Sequence, residues 1–318
     1  MAAFAGSVAL ATGAFVSALL VLLHIRTFWT LPTAATLCLI VWLAAVSFVV
    51  GVDALVWSQS VEVKLEVWCD IVTRLQVGAN LALPATWFRQ WMIIHGIIFG
   101  TDNRALAKAK MRRRAFLDFS FLILFPVLYM ALFHIIQRHR FNLIETLGCR
   151  ASTFASIPEF FFMWFIPILL ALGTVCFIGV SLVQMLRLGK KILLTSSSQV
   201  MRYTIMILAQ VLWFLLIVSL YIFLDYQHGL HPWVSWDEVH SDFSRIETFP
   251  RSSTPPLTLR LSHFVSWGVP VAGYIFVLLS QPTAELWKQV TGVFRRSPAD
   301  QQFSNDIELA SRFGNPGV

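Results

Sequence analysis

Seven long apolar runs, each near the length of a bilayer-spanning helix, constrain this chain more than any other feature. A hydrocarbon core of roughly 30 Å needs about 20 apolar residues in helical form, and backbone surrounded by lipid must satisfy its own hydrogen bonds, which a helix does. The runs extend approximately from Ala5 to His24, Pro32 to Trp57, Glu66 to Ile94, Ala115 to Ile136, Pro158 to Leu186, Met201 to Tyr226 and Leu261 to Ser280. The expected fold is an all-α membrane protein: a seven-transmembrane helix bundle over residues 1–281 and a short cytoplasmic tail over 282–318. Composition agrees, with 57% hydrophobic and 13% charged residues and a mean hydropathy of +0.70, where soluble domains run at about 45–50% apolar and about 25% charged. The first run lacks a basic residue ahead of its apolar stretch, so it reads as a retained helix rather than a cleaved signal peptide.

Orientation follows from the cations. With the amino terminus outside, the inner segments hold 15 Lys and Arg and the outer segments 7, leaving Arg74 and Arg89 inside the third run. Such an excess marks the cytoplasmic side, so the expected topology is amino terminus out and carboxyl terminus in. It also disposes of nucleic acid as the reason for the net charge of +7, because the basic residues lie in short links between apolar runs. Four cysteines without CxxC spacing are no disulfide scaffold. This topology nevertheless sets Cys69 and Cys149 in the oxidising compartment, where a bridge persists and would contribute about 2–4 kcal/mol; two unpaired thiols are the alternative.

Ionisable groups inside a span cost roughly 2.5–3.5 kcal/mol at the helix centre on insertion scales. Asp70 and Arg74, four residues apart, share one face of the third helix and can pair there, as internal packing or as a ligand contact. Asp53, Glu66, Glu159 and Asp225 fall near the outer ends of their runs, where a carboxylate is expected to reach water. With Asp237, Glu238 and Asp242 they lend the outer face an acidic character that favours a cationic ligand portion. Gln76, Asn80 and Gln210 are expected to hydrogen-bond between helices, and Pro84, Pro126, Pro167 and Pro270 to kink theirs.

Motifs of catalysis are absent: there is no G-x-x-x-x-G-K-[ST], H-E-x-x-H or G-x-S-x-G. The chain therefore reads as no enzyme, and nothing in it calls for a cofactor or a metal. A seven-span transporter or channel is the alternative to a receptor, but matching broken halves are not visible in the sequence.

Three separated segments are Val67-Trp-Cys-Asp-Ile-Val-Thr-Arg74, Gln137-Arg-His-Arg-Phe-Asn-Leu-Ile-Glu-Thr-Leu-Gly-Cys149, and the loop Pro232-Trp-Val-Ser-Trp-Asp-Glu-Val-His-Ser-Asp-Phe-Ser-Arg-Ile-Glu-Thr-Phe-Pro250. In order and spacing they resemble the fungal lipopeptide mating-pheromone receptors, the class D G-protein-coupled receptors of the a-factor receptor type. Gly51-Val-Asp-Ala-Leu-Val-Trp57 and Thr86-Trp-Phe-Arg-Gln-Trp91 depart from that family's usual pattern. The resemblance implies a multi-pass plasma-membrane receptor for a peptide with a farnesylated, carboxymethylated C-terminal cysteine, activating a heterotrimeric G protein in mating signalling. It leaves homodimerisation open.

On this reading the lipid enters from the bilayer, and polar peptide atoms are met by Asp70, Arg74, Trp233, Trp236, Asp237, His240 and Arg245. The tryptophans alternatively serve as interfacial anchors. Arg112, Arg113, Arg114, Lys190 and Lys191 are expected to contact the G protein; as topology determinants and anionic-lipid contacts they would be worth about 1 kcal/mol each. In the tail, Glu285 to Arg296 reads as an interfacial helix.

Overall fold

A computed structural model of the protein describes residues 2–25, 33–99, 107–187, 190–227 and 229–280. The tail 282–318, with its expected interfacial helix, lies outside the described residues. Helix α1 is Ala2–Leu23, α2 Ala34–Val56 and α3 Glu66–Ile98. α4 runs Ala107–Phe119, passes through a π-helical segment Ser120–Leu124 and continues as Phe125–Leu132. α5 starts at Ile157–Glu159, widens into the π-helical segment Phe160–Phe165 and continues as Ile166–Arg187; α6 is Lys190–Tyr226. α7 comprises Pro256–Ser266 and, after Trp267, Gly268–Leu279.

The prolines explain the irregular turns. Each π-helical segment ends two residues before Pro126 or Pro167, where the missing N–H and the ring would otherwise break the i to i−4 ladder. α7 likewise interrupts at Trp267, three residues before Pro270.

Among the described residues, six helices are long and apolar enough to cross a membrane: Phe4–Leu23, Ala34–Val56, Ala115–Ile135, Ile157–Arg187, Val200–Tyr226 and Pro256–Leu279. Their outer faces carry Leu19, Val41, Leu169 and Leu212, each more than half exposed, a pattern suited to lipid rather than water. The protein is a multi-pass membrane helical bundle. α3, 33 residues long, has length enough but carries Asp70, Arg74 and Arg89, and it packs on α2, α4, α5 and α6. Arg89, 5% exposed, is neutralised by Asp118 of α4 at 2.6 Å.

α1 and α7 lie side by side and parallel, since Gly6 O is 3.2 Å from His263 Nε2 near one end and His24 Nε2 is 2.9 Å from Ser280 Oγ near the other. Gly273 permits this approach, because a Cβ there would sit 2.3 Å from Ser17 Oγ. Two of the three expected interhelical hydrogen bonds are present, Asn80 Nδ2 donating to Met163 O (2.7 Å) and Gln210 Nε2 to Ala272 O (3.1 Å), whereas Gln76 Nε2 donates to Cys149 O in the hairpin (3.1 Å) instead of to a helix. Trp87, Trp91, Phe133 and Phe276 fill the centre, each at most 1% exposed.

One end of the bundle bears a three-stranded sheet of β1 (Phe141–Ile144), β2 (Gly148–Arg150) and β3 (Ile246–Phe249) in the order β2-β1-β3. β1 and β2 form an antiparallel hairpin, whereas β3, from the loop between α6 and α7, runs parallel to β1 with Phe141 opposite Ile246.

Candidate functional site

The sheet is fastened to the helices covalently and by fit. Leu65, in the left-handed region at φ 55°, turns the chain into α3, and one turn later Cys69 is bonded to Cys149 of β2 with a Cα separation of 5.3 Å. Gly148, at φ +75°, presses so closely on α2 that a Cβ would sit 2.5 Å from Asp53 Cβ. The hairpin turn is tied there too, Thr146 N donating to Trp57 O at 2.8 Å.

Two carboxylates expected to reach water are therefore buried. Asp53 and Glu159 are both 0% exposed, Asp53 accepting from Trp68 Nε1 at 2.8 Å and Glu159 from the Tyr226 hydroxyl. The cap and the end of α6 cover helix termini that would otherwise be open.

A cavity of about 330 Å³ lies at this end, walled by Asp70, Thr73 and Arg74 of α3, Gln137 and Arg140 of the segment before β1, and Phe243 and Ser244 of the loop before β3. Asp70 and Arg74 share the cavity but do not pair. Asp70 is held by Arg140, Nε to Oδ1 at 2.9 Å and Nη2 to Oδ2 at 2.7 Å, and the same guanidinium reaches Glu66. Arg74 turns instead to Met130 O and Gln137 Oε1, each at 3.3 Å. The reason is position: Arg140 arrives at the sheet end, level with the first turn of α3, while Arg74 lies a turn deeper beside α4. The hydrogen bonds that Arg140 donates to Asp70 and then to Glu66 hold its guanidinium above its usual pKa.

The other predicted ligand residues spread along the loop. Trp236 stacks on His240 with ring centroids 4.0 Å apart, and His240 Nε2 lies 2.9 Å from His134 O. Phe243, a cavity-wall residue, packs edge-on against His134 at 4.9 Å, so this aromatic group adjoins the cavity. Trp233, Asp237 and Arg245 do not line it. Trp233 is half-buried and Asp237 exposed, while Arg245 bridges Glu247 at 3.1 Å and Asp242 at 3.7 Å. Behind the sheet, His139 is 3% exposed with Nε2 2.6 Å from Asn142 Oδ1; burial lowers its pKa more than this bond raises it.

A second cavity, about 260 Å³, lies inside the bundle beneath the sheet. Its walls come from α2, α3, α5, α6, α7 and the hairpin: apolar Val46, Met163 and Phe214, with Trp87, Arg150, Gln210, Asp225 and Ser266 among the polar members. Arg150 was not singled out by sequence as a ligand contact, its signal being its place directly after Cys149, and Asp225 was read only as one of several carboxylates that make the outer face acidic. Among the described residues, no three His, Cys, Asp or Glu side chains converge on a metal-sized site.

At the opposite end of the bundle, Arg112 and Arg113 are exposed on α4. The side chains of Arg114, Lys190 and Lys191 lie outside the described residues.

The family model described as pheromone A receptor, STE3, matches residues 9–292. The chain is 30% identical over 293 residues to the pheromone B beta 1 receptor of Schizophyllum commune, covering 88% of this chain and 54% of that relative. It is 25% identical over 257 residues to the pheromone B alpha 1 receptor of the same fungus, covering 77% and 40%. With pheromone receptor 2 of Mycosarcoma maydis it shares 27% identity over 259 residues, covering 75% and 72%. The chain thus spans about half the length of the Schizophyllum commune relatives it matches.

Proposed function

Because this chain belongs to the pheromone A receptor family, we propose that it is a seven-helix G-protein-coupled receptor of the plasma membrane that senses a peptide pheromone with a farnesylated C-terminal cysteine. α3 serves as the seventh crossing, the sheet end faces outward with the amino terminus, and the receptor has no enzyme activity of its own. The Lys and Arg asymmetry along the sequence and the disulfide at the sheet end support that orientation.

One observation carries the ligand reading: Asp70 and Arg74 of α3 share a cavity with Phe243 and Ser244 of the long loop. A prenyl chain gains about 0.8 kcal/mol per buried CH2 whether it enters lipid or protein, so discrimination falls to polar contacts. Asp70, Arg74, Trp236 and His240 meet peptide atoms at the cavity and its rim, and Trp233, Asp237 and Arg245 act further along the loop. Arg112 and Arg113, with Arg114, Lys190 and Lys191, face the heterotrimeric G protein.

The test is a fungal reporter strain expressing the chain and challenged with synthetic farnesylated peptides. A dose-dependent response is expected, and alanine at Asp70, Arg74, Trp236 or His240 should raise the half-maximal dose about tenfold or more at normal surface display. Silence toward every peptide, with surface expression verified and the G protein working, overturns the receptor reading. An unchanged dose response in every alanine variant overturns the site assignment alone.

A further inference from the structure

The interior cavity is built unlike a passive gap. Trp87 is 1% exposed and Gln210 0% exposed, and neither the Trp87 indole Nε1 nor Gln210 Oε1 has a hydrogen-bond partner, although both residues line the cavity. The orientation of the Gln210 amide is fixed, since its Nε2 donates to the Ala272 carbonyl and only the oxygen is left over. The two groups belong to one wall region: the Trp87 ring packs edge-on against Phe214 at 5.5 Å, one helical turn from Gln210 on α6. One unmet donor and one unmet acceptor are the complement of an amide.

Nearer the sheet the wall turns ionic. Asp225, at the end of α6, is half-buried and lines the cavity, yet among the described residues its carboxylate has no hydrogen bond or ion pair. Arg150, on the same lining, donates Nη2 to Ser266 Oγ at 2.7 Å and makes no salt bridge with Asp225. Two other carboxylates at this end, Glu66 and Asp70, are met by Arg140. A half-buried carboxylate without a partner carries a cost that a cationic group would offset.

We propose that the interior cavity is a second recognition site, for the polar and cation-bearing part of a peptide: Asp225 pairs with an ammonium, guanidinium or imidazolium group, and Trp87 with Gln210 receives a peptide amide. Arg150 faces the neighbouring carbonyl. At about 260 Å³ the cavity falls just below the ~300–1,000 Å³ of small-molecule sites, room for a residue or two and not for a whole lipopeptide. The prenyl chain stays in the bilayer. This deepens the receptor reading above and rests on it only for the peptide's prenyl group.

The experiment selects a random peptide library, made with and without a farnesylated C-terminal cysteine, on the full chain held in nanodiscs, in parallel on wild type and Asp225→Asn. Peptides retained by wild type are expected to carry Lys, Arg or His at one fixed position, and the Asp225→Asn pool to lose that preference. Trp87→Phe, which removes only the N–H, should weaken a selected peptide about tenfold, and methylating the peptide's amide nitrogens one by one should locate a single position of comparable loss. No positional preference for a cation, or the same preference in both pools, overturns the proposal. If Asp225→Asn does not fold, an unchanged affinity of Trp87→Phe for every selected peptide overturns it instead. Enrichment confined to the peptides without farnesyl would leave this site standing and sink the farnesylated-pheromone reading.

Discussion

The cap and the interior cavity lie next to each other and differ in how they are held: the cap is stitched to the helices, and the cavity wall is left with room beside its polar groups. In the cap Arg140 satisfies two carboxylates, Thr146 closes on Trp57, and a disulfide joins sheet to helix. In the cavity wall Trp87 and Gln210 keep hydrogen-bonding capacity in reserve, and half-buried Asp225 has no ion pair among the described residues. Buried polar groups are normally paired; Asp53 Oδ2 and His139 Nδ1 at the cap are exceptions, but they lie outside the cavity lining, where unmet groups adjoin a space that a ligand can fill. Substitutions at the joints that fasten the cap, Cys149, Gly148 and Arg140, should therefore act on stability first, and substitutions in the interior cavity on ligand response first.

The largest effect on that contrast should come from Cys149→Ser. Losing a bridge between residues 80 positions apart is expected to lower stability by about 2–4 kcal/mol. Thermal unfolding in nanodiscs reads it, and a reductant should then lower the wild-type melting temperature while leaving the variant unmoved. Gly148→Ala comes next, at about 1–3 kcal/mol, because its positive φ and its contact with Asp53 leave no room for a methyl. A variant as stable as wild type would show that the cap does not sit on α2 as described.

Arg140→Ala sharpens the comparison at a smaller scale. Its partners are roughly a third to a half exposed, so the stability loss should stay at or below about 1 kcal/mol, and high salt should erase most of it. Smallest is a pH effect at His139. Burial lowers its folded pKa, so the fold favours the neutral ring: that stability is complete above the ordinary histidine value of about 6.5 and is lost as pH falls through the lower folded value. A melting curve against pH should show this acid slope, and His139→Gln should flatten it.

The sequence made the helices legible because apolar length is a local property. It also made Asn80 and Gln210 legible as interhelical staples, since a polar side chain among apolar neighbours must find a partner, but not that Gln76 would reach the hairpin instead of a helix. The Cys69 to Cys149 bond followed from compartment. What escaped were choices among distant partners. Spacing offers Arg74 to Asp70, but Arg140 reaches it from 70 residues away, and Asp53 is sealed by Trp68 and a glycine turn that no periodicity announces. Asp225 shows the same gap: its place near a helix end suggested water, and only the packing of α5, α6, α7 and the hairpin shows it lining a cavity.

The parallel pairing of β3 with β1 also fixes when the molecule can be finished. During synthesis the hairpin exists long before Ile246 to Phe249 emerge, so β1 stands with a bare edge while a hundred more residues are made, and such an edge invites any strand in reach. A ribosome that stalls after α6 leaves a product whose sheet lacks its third strand, distinct from a completed copy and readable as such by whatever inspects nascent membrane proteins.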